Sequence, residues 1–134
     1  MSYFDSAYIA KFYVDEPESD AVRRLAETLG RVEVAGVFHR KWREGAFTER
    51  EFREVSAQFF DDCAAGLWTW FSVTDGLIAK AAKSLGSLSK RVTIRSADAL
   101  HLVCARENGL RRLYTNDRHL LRAAPAFGVE ARTI

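Results

Sequence analysis

The run Ser96-Ala-Asp-Ala-Leu-His-Leu-Val-Cys-Ala-Arg-Glu-Asn108 has helical spacing, is nearly all apolar, and is closed by Gly109. A helix apolar on most sides must be covered on most sides, so it belongs deep in a layered domain. Four short segments read as strands: Met1 to Phe4, Leu67 to Val73, Arg112 to Tyr114 and Val129 to Thr133. The second of these, Leu-Trp-Thr-Trp-Phe-Ser-Val, carries the aromatic and β-branched residues that strands favour. Strands alternating with helices predict an α/β fold with a four- or five-stranded, mostly parallel sheet flanked by helices. The 134 residues make one domain, residues 1–134, in which roughly two-thirds of the unfolded surface can be buried.

Between the strands the helical signals are local. Ser6 to Tyr13 places Ile9, Phe12 and Tyr13 on one side. Asp15-Glu16-Pro17-Glu18 opens a second helix, with an apolar face of Ala21, Val22, Leu25 and Leu29 and a stop at Gly30. Residues 31–44 alternate briefly like a strand, but they run on into Phe38, Lys41 and Trp42, which favours a helix ending at Gly45. Thr48 with Glu51 forms a capping box ahead of the stripe Phe52, Val55, Phe59, Phe60 and Cys63. Residues 33–63 therefore predict a helical hairpin closed by Gly45-Ala46-Phe47. Thr74 caps a further helix ending near Gly86, and Arg118 to Ala124 is a short one.

Several classes of protein are disfavoured. Two cysteines, Cys63 and Cys104, sit among apolar residues, so a disulfide framework is not expected and a reducing cytoplasm is. With only His39, His101 and His119 to add, no zinc set can be assembled. The uncharged stretch from Cys63 to Thr74 is far shorter than the ~20 residues of a membrane helix. Asp5 and Lys11 interrupt the first apolar segment, against a signal peptide.

The net charge of +2 conceals an asymmetry. Residues 1–75 hold 9 Lys/Arg against 14 Asp/Glu, and residues 76–134 hold 11 against 4. No acid falls between Gly76 and Ala97, whereas Lys80, Lys83, Lys90, Arg91 and Arg95 do. Such a stretch can track the phosphates of RNA, or be an ordinary solvated face.

Asp5, Glu33, Asp98 and Asp117 are the acids in pointed settings. Asp5 and Asp117 each follow a strand and could simply cap helices, and Asp98 suits the first turn of its own. In a parallel sheet, however, the carboxyl ends of the strands share one edge, where ligands bind. Carboxylates gathered there repel one another unless a cation lies among them. Oxygen ligands alone match Mg²⁺ or Mn²⁺, which suit phosphate chemistry.

The chain resembles the PIN-domain ribonucleases, and most closely the VapC-type toxins of bacterial toxin–antitoxin pairs. The resemblance is carried by Tyr3-Phe4-Asp5-Ser6-Ala7, by Val32-Glu33-Val34 leading into His39–Glu44, by Arg95-Ser-Ala-Asp98-Ala-Leu-His101, and by Tyr114-Thr115-Asn116-Asp117. It implies a PIN-like three-layer fold and a Mg²⁺- or Mn²⁺-dependent endoribonuclease acting on RNA such as tRNA or rRNA. It also implies neutralisation by a small cognate antitoxin, and a homodimer. In that family the residues matching Asp5, Glu33, Asp98 and Asp117 form the acidic site, with Asp5, Asp98 and Asp117 as metal ligands. Ser6, Thr115 and Asn116 support it. One departure is that Leu29-Gly30-Arg31 joins two helices where the family has a second strand, unless Arg31–Val34 supplies a remnant.

His101 lies one helical turn from Asp98, and it can approach the site or be a buried structural histidine. Phe38, Trp42, Phe47, Phe52 and Phe59 read as core, although a helical hairpin can also offer an aromatic groove to a partner helix. The competing function is a non-cleaving module of the same fold that binds RNA or protein. An aspartyl-phosphate phosphatase is set aside because Ala7 stands where a second Asp is needed.

Overall fold

The computed structural model describes residues 2–4, 9–10, 13 and 24–133. Five strands, β1 (Ser2–Phe4), β2 (Arg24–Glu27), β3 (Trp68–Phe71), β4 (Arg112–Tyr114) and β5 (Glu130–Arg132), lie in the order β3-β2-β1-β4-β5. Every pairing is parallel, with Tyr3 opposite Leu25 on one side and Leu113 on the other. Around them are α1 (Thr28–Arg43), α2 (Glu49–Ala64), α3 (Asp75–Gly86), α4 (Ser96–Glu107) and α5 (Arg118–Ala123), followed by a 3₁₀ turn at Ala124–Phe127.

The expected PIN-like three-layer fold, built on its sheet, needs correction. Strands of three or four residues stand against four helices of 12 to 16 and a fifth of six, so the molecule is mostly helical and the strands are a minor element. The run Leu67 to Val73 illustrates the reason. Only Trp68–Phe71 is paired, and Thr74 at once turns the chain into α3 by accepting the Leu77 N–H.

A second correction concerns residues 24–29. They were expected to close a helix, but Arg24–Glu27 is β2, and the chain enters α1 directly at Thr28. Both edges of β2 are occupied, by β1 and β3, and that pairing overrides the local helical spacing. The strand missing from the sequence pattern thus lies upstream of Arg31–Val34. Gly30 falls inside α1 rather than ending a helix. Of the helix expected at Ser6 to Tyr13, Ile9 and Ala10 are helical and Tyr13 is in a turn; the other residues lie outside those described, as do 14–23.

The α1–α2 hairpin follows its expected course. Arg40, Lys41 and Arg43 fill the last turn of α1, where cations offset the helix dipole, and Gly45 adopts φ +77 to reverse the chain. Thr48 and Glu51 form the reciprocal capping box that opens α2. One core, of Phe38, Phe59, Trp68 and Val34, fills the space between the hairpin and β3. The other surrounds α4, whose Ala99, Leu102, Val103, Cys104 and Ala105 are buried as its composition demanded. Among the described residues no helix is long and apolar enough to cross a membrane.

Candidate carboxylate site

The strand order places a change of direction at β1 and β4. The chain moves outward from β1 through β2 to β3, then returns to lay β4 on the other side of β1. Connections leave these two neighbours in opposite directions, and the crevice at their carboxyl ends is where such sheets bind ligands.

The segment leaving β4 is tightly held. Thr115 is fully buried; its N–H donates to the Arg132 carbonyl at 2.9 Å and its Oγ1 accepts the Asp117 N–H at 3.0 Å. Asp117 is the N-cap of α5, with Oδ1 accepting from the N–H groups of His119 (2.7 Å) and Leu120 (3.4 Å). Its Oδ2 is turned to Arg95, whose Nη2 donates at 2.9 Å. Asn116 is exposed beside it.

The start of α4 supplies the opposite wall. Arg95 is the N-cap residue in extended conformation and makes no side-chain cap bond, while Asp98 lies in the first turn. Arg95 Nε donates to Asp98 Oδ2 at 2.8 Å. One guanidinium therefore bridges Asp98 and Asp117. It is held more basic than usual, first by the hydrogen bond to Asp98, then by the charges of Asp98 and Asp117, with a smaller contribution from Glu33. The repulsion expected between bare acids is accordingly offset by a cation from the chain itself.

Glu33, on α1, joins from the side. Its Oε2 lies 2.7 Å from Nε2 of His101, a side chain only 3% exposed that sits one turn beyond Asp98 on α4. The histidine is thus both buried, as a structural residue would be, and attached to a site acid. Asp5 and Ser6 lie outside the described residues. Among those described, no three His, Cys, Asp or Glu side chains form a metal-holding group: Asp98 and Asp117 converge on Arg95, and Glu33 bonds to His101. An open surface cleft of about 390 Å³ lined by Phe71, Thr74, Leu77, Lys80 and Glu107 includes none of these acids.

In the basic stretch, Arg95 donates to two carboxylates although its side chain stays open to solvent, and Lys80 is ion-paired with Glu107. Lys83, Lys90 and Arg91 are exposed. In the hairpin, Phe38 and Phe59 are core and pack edge-on to Tyr13. Trp42 is 36% exposed and stacks on Phe52 with centroids 4.8 Å apart, and Phe47 is half-buried. Arg95 as a partner of Asp98 was legible from its i, i+3 spacing; its reach to Asp117 had no sequence signal.

No protein-family model matches the chain, and no curated protein matches it either.

Proposed function

We propose that this protein is a Mg²⁺- or Mn²⁺-dependent endoribonuclease that hydrolyses RNA phosphodiesters, a toxin held in check by a small antitoxin. One observation carries the reading: two carboxylate oxygens, of Asp98 and Asp117, converge on a single cationic group at 2.8 and 2.9 Å, at the carboxyl edge of the sheet beside its change of direction. The donors are all oxygen and all anionic, which fits a hard divalent cation. Asp98 and Asp117 would hold it, and the resemblance adds Asp5. When bound, such a cation polarises the phosphoryl oxygen and stabilises the leaving oxygen.

The remaining steps fall to the chain's own groups. Glu33 orients the attacking water and takes its proton, with His101 fixing the carboxylate by the 2.7 Å bond. Thr115 and the α5 cap aim Asp117. Lys83, Lys90 and Arg91 hold the RNA backbone. Trp42, stacked on Phe52, offers the antitoxin an aromatic ledge, and a homodimer follows from the resemblance alone.

The test is cleavage of a structured RNA with Mg²⁺ or Mn²⁺, abolished by EDTA. A non-cleaving binding module is the second reading, favoured by the neutralisation of both acids by Arg95. RNA retention without cleavage, indifferent to EDTA, would select it.

A further inference from the structure

Arg95 occupies the position of a cation. A single planar group spans two carboxylates from different parts of the fold, Asp98 in the first turn of α4 and Asp117 at the N-cap of α5. The anionic half is fixed: Asp98 and Asp117 are only 13% and 26% exposed, and Oδ1 of Asp117 is tied to backbone N–H groups. The cationic half is not. The Arg95 side chain is 73% exposed and hangs from the extended residue just before the helix begins. Ion pairs this open to water are weak, and a divalent cation with twice the charge competes for the same oxygens.

We infer that Arg95 is a displaceable internal counter-ion, which neutralises Asp98 and Asp117 in the metal-free protein and must swing out before a divalent cation can take the same oxygens. The inference rests on the metal-dependent reading above. The work of removing the guanidinium is subtracted from cation binding, so the wild-type site binds more weakly than its acids alone would allow. The same exchange keeps the two acids from repelling each other whenever metal is scarce.

The experiment is calorimetric titration of Mn²⁺ into the wild type, Arg95→Met and Arg95→Lys at one ionic strength, with the ¹⁵N spectrum of the Arg95 Nε–H recorded alongside. Arg95→Met should bind Mn²⁺ about tenfold more tightly, since two charge-assisted hydrogen bonds no longer have to break. Arg95→Lys should also bind several-fold more tightly, because an ammonium lacks the planar fork that spans both carboxylates. In the wild type the Nε–H should exchange slowly without metal and rapidly with it. Should Arg95→Lys match the wild type while only Arg95→Met tightens, the arginine acts through its charge at a distance and the inference fails. Equal affinity in all three proteins, or an Nε–H indifferent to Mn²⁺, overturns it as well, and each of these results leaves the metal site standing. Absence of Mn²⁺ binding in all three at millimolar concentration removes the inference together with the metal-dependent reading.

Discussion

Asp98→Asn keeps the shape of the side chain and removes one charge, which makes it the cleanest probe of the site. In the metal-free protein two things are lost. One is a carboxylate in the first turn of α4, worth about 0.3–1 kcal/mol against the helix dipole. The other is the ion pair with a guanidinium that is 73% exposed, worth about 0.2–1 kcal/mol. The asparagine oxygen can still accept from Arg95 Nε, and relief of repulsion from Asp117 offsets part of the loss. A net destabilisation of about 1 kcal/mol follows, which lowers Tm by roughly 3–5 °C in a chain of this size. Metal reverses the scale of the effect. At a hundred times its Kd, a cation stabilises the wild type by about 2.7 kcal/mol, whereas a variant binding a hundredfold more weakly gains only about 0.4 kcal/mol at the same concentration. Thermal melts with and without Mn²⁺, beside an RNA-cleavage assay, should show a large shift and cleavage in the wild type and neither in the variant. Equal metal shifts with intact cleavage in Asp98→Asn would refute the reasoning. Asp98 is not itself an N-cap, so loss of a cap cannot imitate the expected result.

Tyr13→Phe should destabilise by about 1–3 kcal/mol in denaturant titration, because Tyr13 donates to Asp62 Oδ2 at 2.7 Å and accepts from Trp68 Nε1 at 2.8 Å. Burial, then the bond to Asp62, raises the pKa of that phenol above its ordinary 10.0, so wild-type stability should fall as pH rises beyond 10, where the unfolded chain releases the proton first; the variant should lose this contribution. Neutralising Lys83, Lys90 and Arg91 together should lower the salt slope of single-stranded RNA binding by about 2, and an unchanged slope would assign RNA contact to another face. Trp42→Glu should abolish neutralisation by the antitoxin while cleavage persists, at a stability cost of about 0.5–1.5 kcal/mol from the lost stack on Phe52; retained neutralisation in a binding assay would place the antitoxin elsewhere.

Features set by neighbours in the chain were legible. Thr48 and Glu51, three residues apart, formed their capping box, and the composition of Ser96 to Asn108 was enough to bury α4. Arg112 to Tyr114 was a strand as expected. What failed was set at a distance. Leu25 shares helical spacing with Ala21, Val22 and Leu29, yet Arg24–Glu27 becomes a strand where β1 and β3 flank it. The same holds at the site, where four acids could be singled out by their contexts but not paired. Glu33 meets a histidine 68 positions away, and Arg95 reaches Asp117 across 22. An arginine in a basic stretch reads locally as a phosphate ligand, and only the folded chain turns it towards two carboxylates.

The capping and ligand-binding readings of Asp117 do not compete. A carboxylate has two oxygens, and here each has its own duty: Oδ1 receives the N–H groups at the start of α5, and Oδ2 faces Arg95. The cap is what aims the second oxygen, since it fixes the plane of the carboxylate. Behind it, Thr115 Oγ1 holds the Asp117 N–H while the Thr115 N–H continues the pairing of β4 with β5 at the Arg132 carbonyl. The oxygen that meets the cation is thus tied, bond by bond, to the sheet. Among the described residues, Asp98 is held by the helix that carries it and by Arg95. A change at Asp117 disturbs the cap and the site together, whereas a change at Asp98 breaks no cap and touches α4 only through its dipole. The capped wall and the exposed arginine together define the site: two anions, one of them tied to the sheet, whose partner can be exchanged.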